Sequence, residues 1–235
     1  METTRSLPPS VERKHIHSRH VESHGFLRAD GLWDIEARIK DTKTYFTRNA
    51  DGRERQPGEA LHHMEVRLTL DDTLKVFNAI AIIAGSPFDD CSDAANPVRG
   101  LIGATVGPGW RKAIDEAMGG VRGCTHVREL ILAMATVAYQ TIPNYRAHER
   151  RERGEPTRTI GKPGHQIGKC LGWDTDGPVV ARLTPELVGW RPQSWSRLFE
   201  HAGARDKWMG CGVRVLLGPL PGRRRRPPVG HVLMA

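Results

Sequence analysis

No apolar stretch in this chain is long enough to cross a membrane. The longest, Ala79-Ile80-Ala81-Ile82-Ile83-Ala84, falls far short of the roughly 20 residues a spanning helix needs. The opening Met1-Glu2-Thr3-Thr4-Arg5 lacks the apolar core of a secretion signal, so a cytoplasmic protein is expected. Cysteine is scarce, and Cys91, Cys124, Cys170 and Cys211 are scattered, which suits free thiols better than a disulfide framework. Aromatics are only 6% of the chain. The glycines show no phosphate-loop or dinucleotide spacing, and there is no Gly-x-Ser-x-Gly elbow, CxxC or His-Glu-x-x-His. Nucleotide binding, a serine-hydrolase elbow and the common zinc motifs are therefore unsupported.

What the chain has is 235 residues with 38% hydrophobic and 26% charged side chains, enough for one folded core. Its net charge of +8 is unevenly placed. Residues 191–235 hold nine Lys/Arg against two acids, so the body of the chain is nearly neutral. Arg223-Arg224-Arg225-Arg226 lies among prolines and glycines without an interleaved aromatic, the composition of a solvated cationic end rather than a base-stacking platform. Nucleic acid is expected to engage, if at all, through this tail alone.

The reading along the chain is a lead-in over 1–14, one α+β domain over 15–187 and a basic extension over 188–235. An extended segment runs from His17 to Arg28, and Ala29-Asp30-Gly31 is a hairpin turn signal. Trp33, Ile35, Ala37 and Ile39 then alternate with polar residues, a strand with one buried face. Residues 49–58 make a polar loop. Met64, Val66, Leu68 and Leu70 alternate in a further strand, which Asp71-Asp72 turns back into a strand ending at Gly85. Two helices follow, one over Trp110–Ala117 and a long one from Thr125 or His126, ending or kinking at Pro143. Gln166–Leu183 suggests a closing hairpin. The expected fold is an antiparallel β-sheet built from hairpins and packed against two helices.

Three constellations carry chemistry. Cys124 precedes the long helix with His126 beside it, and reads either as a nucleophilic or metal-binding thiol at the positive helix end or as a small buried residue at a tight helix start. The same Cys-x-His pair, joined by His62, His63 or Cys170, would suit zinc, although the lack of a second close pair favours no cofactor. Asp34 and Glu36 share one strand face and would serve as an acid/base pair or as a solvated face. His62 has the parity of Met64 and Val66, so it reads as a core histidine or a base in a pocket.

The blocks Arg28-Ala29-Asp30-Gly31-Leu32-Trp33-Asp34-Ile35-Glu36, Gly58-Glu59-Ala60-Leu61-His62-His63-Met64, Gly123-Cys124-Thr125-His126 and Ala138-Tyr139-Gln140-Thr141 resemble, in order, those of an uncharacterised bacterial family. That family is catalogued only as a domain of unknown function. The likeness extends over about residues 15–187. It implies a cytoplasmic proteobacterial protein linked with breakdown of lignin-type aromatics. The resulting expectation is a cofactor-independent enzyme, by preference a lyase releasing formaldehyde from a small phenolic compound. His62, Asp34 or Glu36 would be the base, with Cys124 and His126 at the substrate oxyanion. The rivals are a thiol-dependent hydrolase using Cys124 and a non-catalytic protein that binds an aromatic ligand. Homodimerisation is left open.

Overall fold

The computed structural model describes Leu7, residues 10–155 and residues 163–191. The chain divides into two compact units, the first ending at Ile160. The first is the expected α+β fold. Strands β1 (His17–Leu27), β2 (Trp33–Lys43), β5 (Ala60–Leu70) and β6 (Val76–Gly85) form an antiparallel sheet in the order β1-β2-β5-β6. A two-residue ribbon, β3 (Thr47–Arg48) with β4 (Glu54–Arg55), occupies the expected polar loop.

Local chemistry explains the turns. Gly31 takes φ +84° between β1 and β2, and its N–H and that of Arg28 close the turn onto Arg28 and Leu32 carbonyls. Between β5 and β6, Asp71 Oδ1 accepts from the Thr73 and Lys75 amides at 2.8 and 2.9 Å.

The alternation becomes a core. Trp33, Ile35, Ala37 and Ile39 of β2 and Met64, Val66, Leu68 and Leu70 of β5 are all buried on one sheet face. Helix α2 (Thr125–Glu152) covers that face with Val127, Leu130, Ile131, Met134, Ala138 and Ile142. Helix α1 (Trp110–Met118) adds Trp110, Ile114 and Met118. Pro143 lies inside α2, which continues past it to Glu152. The run of 3-10 turns over Asp89–Leu101, buried through Ala95, Val98 and Leu101, was not expected. Pro97 and the absence of a 3.6-residue apolar repeat hide it.

At one end of the sheet Trp33 Nε1–H donates to Asp72 at 2.8 Å while the Arg146 guanidinium lies 4.9 Å over the indole. Nearby, β1 passes so close to α2 that a Cβ on Gly25 would stand 2.2 Å from Thr141 Oγ1. Gly25→Ala is expected to destabilise by about 1–3 kcal/mol in urea unfolding, as overpacking does, with Thr141→Ala restoring part of it. An unchanged unfolding midpoint for Gly25→Ala would show that β1 yields there at no cost.

The second unit corrects one expectation. Gln166–Leu183 is not a hairpin. It contains a 3-10 turn at Leu171–Trp173 and helix α3 (Pro178–Leu183), followed by a second 3-10 turn at Pro185–Leu187. Pro178 explains the difference. Its fixed φ and missing N–H suit the first helical turn, so Val179-Val180 continues as helix despite a β-branched composition. Ile167, Val180 and Leu187 are buried together, flanked by Trp173 and Trp190. The arginine run lies outside the described residues. Among the described residues no helix is long and apolar enough to cross a membrane.

Candidate functional site

Asp41 continues the parity of Trp33, Ile35, Ala37 and Ile39, so β2 directs its carboxylate onto the buried face. Its side chain is 2% exposed. An ionised carboxylate so placed needs partners. Cross-strand register supplies them: Arg19 of β1 and His62 of β5 both stand directly opposite Asp41. Arg19 Nε and Nη2 donate to Oδ1 and Oδ2 at 2.8 and 2.9 Å, a bidentate pair. His17 Nε2 lies 3.3 Å from Oδ1. His62 Nδ1 is 3.0 Å from Oδ2.

The electrostatics determine the tautomer of His62. Arg19 holds the Asp41 carboxyl down at about 2, chiefly through its hydrogen bonds, with His62 assisting against the cost of burial. The carboxylate is therefore an acceptor only. His62 Nδ1 must carry the proton, which leaves the Nε2 lone pair free of that bond. Burial, and then the neighbouring His126, push the His62 pKa below the usual histidine value, against the pull of Asp41.

Helix α2 brings the third element. Its first turn places His126 beside His62, ring centroids 4.0 Å apart and planes inclined by 33°. His126 Nε2 is 3.9 Å from Asp41 Oδ2, too far for a hydrogen bond. On its other side His126 Nδ1 lies 3.7 Å from the Sγ of Cys124, the N-cap residue of α2. One turn further on, Glu129 accepts from Arg19 Nη1 at 3.0 Å and ties β1 to the helix. The pairing of β2 with β5 shifts register beside Asp41, because Leu61 is an extra residue between His62 and Ala60. Such a bulge re-aims side chains at the end of a sheet.

Three of the five site residues expected from sequence, His62, Cys124 and His126, thus meet at one place. Asp34 and Glu36 do not join them. They lie on the opposite sheet face, where Thr69 Oγ1–H donates to Asp34 at 2.7 Å and Arg67 Nε–H to Glu36 at 2.6 Å. That is a cross-strand polar ladder. His63, a partner considered for zinc, is paired with Lys40 and has Glu65 3.3 Å away. Cys170 belongs to the second unit. Asp41, Arg19 and His17 were missed. An acid on the apolar parity of β2 is the signal that reveals Asp41, whereas its pairing with Arg19 depends on a register no local pattern encodes.

No curated protein and no solved structure matches the chain. A family match does extend over residues 17–140, more than half the chain. It takes in the four-stranded sheet and the start of α2, together with His17, Arg19, Asp41, His62, Cys124, His126 and Glu129. The chain therefore belongs to the family described as Protein of unknown function (DUF2889).

Proposed function

We propose that this is an acid/base enzyme that needs no organic cofactor, a lyase acting on a small phenolic compound of the lignin-derived kind. The observation that carries the base is the Asp41–His62 hydrogen bond, which orients the imidazole and leaves Nε2 as the acceptor. The phenolic substrate follows from the family likeness in the sequence.

The chemistry suits such a dyad. His62 Nε2 takes the proton of a hydroxymethyl group on the side chain. The adjacent C–C bond then breaks and formaldehyde leaves. The bond's electron pair needs an acceptor, which a para-phenol supplies once it has expelled a benzylic ether oxygen that remains part of the molecule and stands as a quinone methide, the expelled oxygen taking the phenolic proton. The pair ends as C=C, and His62 returns its proton to the phenolate so formed. In this reading the first turn of α2, with Cys124 and His126, faces the substrate oxygen and stabilises its negative charge.

The test incubates the purified protein, without added cofactor, with lignin-type phenolic dimers and phenylpropanoid acids, and follows products by mass spectrometry. A product lighter by one formaldehyde is expected. Ligand binding without turnover of any compound would replace the enzyme with an aromatic-binding protein.

A second reading rests on the Cys124–His126 contact of 3.7 Å, with Asp41 beyond the imidazole. A thiol, an imidazole and a carboxylate in that order can make a nucleophile for acyl transfer. Cys124→Ala discriminates the two. It abolishes turnover with loss of a covalent acyl adduct if the thiol attacks, whereas His62→Ala causes the larger loss if His62 is the base.

A further inference from the structure

Among the described residues, Asp41, His62 and His126 each offer one ligand atom within 4.8 Å of the others. Two imidazole nitrogens and a carboxylate oxygen are a donor set for zinc and similar borderline divalent ions. Spacing decides how nearly such a site is formed. Ligands about 2.0–2.1 Å from a tetrahedral ion stand roughly 3.3 Å from one another. His62 Nδ1 is 3.0 Å from Asp41 Oδ2, and His126 Nε2 is 3.9 Å from the same oxygen. The first separation is already near that spacing, and an inward movement of His126, on the first turn of α2, would close the second.

The outer contacts fit as well. Oδ1 accepts from Arg19 Nε with His17 Nε2 close by, and Oδ2 accepts from Arg19 Nη2 at 2.9 Å, so an ion would use the Oδ2 lone pair that now faces His62 while both Arg19 bonds stay in place. Cys124 lies on the far, Nδ1 side of His126. The set is then three protein ligands, with a fourth position left to water.

We propose that this cluster binds one borderline divalent cation, zinc being the best match, through Asp41 Oδ2, His62 Nδ1 and His126 Nε2, and that the bound ion switches the base off. The second half rests on the base reading above. Nδ1 of His62 carries the ring's one proton, directed at Asp41. The ion takes the place of that proton, which moves to Nε2, the atom that must accept from substrate. The metal-loaded and base-competent states exclude each other.

Zinc titration of the chelator-stripped full chain, with metal analysis after dialysis, tests this. One zinc per chain is expected, bound at least 10-fold more weakly by His126→Ala and Asp41→Asn. His24→Ala, altered on the opposite sheet face beside Glu36, binds as the parent does. Turnover falls in step with loading and returns on chelation. Circular dichroism verifies that each variant is folded, and His126→Ala carries the test if Asp41→Asn is not. Zinc binding that is absent, or indifferent to His126→Ala, overturns the site and leaves the base reading standing. Zinc that binds here and is required for turnover overturns the exclusion, and His62 as base falls with it while the ligand set stands.

Discussion

His62→Gln lowers kcat/KM on the phenolic substrate by about 10²–10⁴-fold while the protein stays folded and still binds it. The magnitude is that of one well-placed general base, roughly 3–5 kcal/mol of transition-state stabilisation. Glutamine is the informative replacement. Its amide can still donate to Asp41, so the carboxylate keeps a partner, but it has no basic nitrogen to accept a proton from substrate. Alanine would remove the base and also leave Asp41 short of a donor. Turnover and ligand affinity measured on one preparation separate catalysis from binding. Full activity in His62→Gln would move the base elsewhere.

Asp41→Asn is expected to harm both the chemistry and the fold. Asp41 presents two acceptor oxygens to Arg19, His17 and His62. An asparagine has one acceptor and turns an NH₂ toward a donor, so either Arg19 or His62 loses its bond. If His62 loses it, the tautomer with Nε2 free is no longer enforced, and activity falls by an amount comparable to loss of the base. The stability cost is about 1–3 kcal/mol in urea unfolding at neutral pH. This lies below the usual figure for breaking a buried pair because the Arg19 side chain is 36% exposed.

The pH dependence gives this prediction a second readout. The Asp41 carboxyl titrates near 2 in the folded chain and near 4 when unfolded. A carboxyl lowered by folding stabilises fully above its unfolded value, and that contribution disappears as pH falls toward 2. In chelator-treated protein the gap between parent and Asp41→Asn is therefore wide at pH 7 and narrow near pH 2. Equal urea midpoints at pH 7 would show that the Arg19–Asp41 pair adds nothing to the fold.

The sheet was legible because two-residue alternation is local. Trp33-x-Ile35-x-Ala37-x-Ile39 and Met64-x-Val66-x-Leu68-x-Leu70 each announce a buried face, and both are buried. The same alternation placed His62 on the inner face. It also placed Asp34 and Glu36 on the polar one, where they form a ladder. The Cys124-x-His126 pair was visible as a helix start. Long-range register was not. Arg19 meets Asp41 because β1 and β2 pair with His17 opposite Lys43, and no window around Arg19 states that. The closing segment was misread for a different reason. Its β-branched run speaks for a strand, and one proline at the first helical position outweighs it.

The arginine that clamps Asp41 also reaches Glu129, a contact spanning 110 residues, whereas Asp41 and His62 are 21 apart. Strands β1, β2 and β5 can therefore pair and hold Arg19, Asp41 and His62 together before α2 is in place. His126 and Glu129 arrive only with the helix, and long loops close late because their entropy must be spent first. During refolding from urea, strand signals would recover ahead of the site, whereas the indole of Trp33, packed under Arg146 and against Tyr145 of α2, would recover with it. Return of activity would then time the docking of α2.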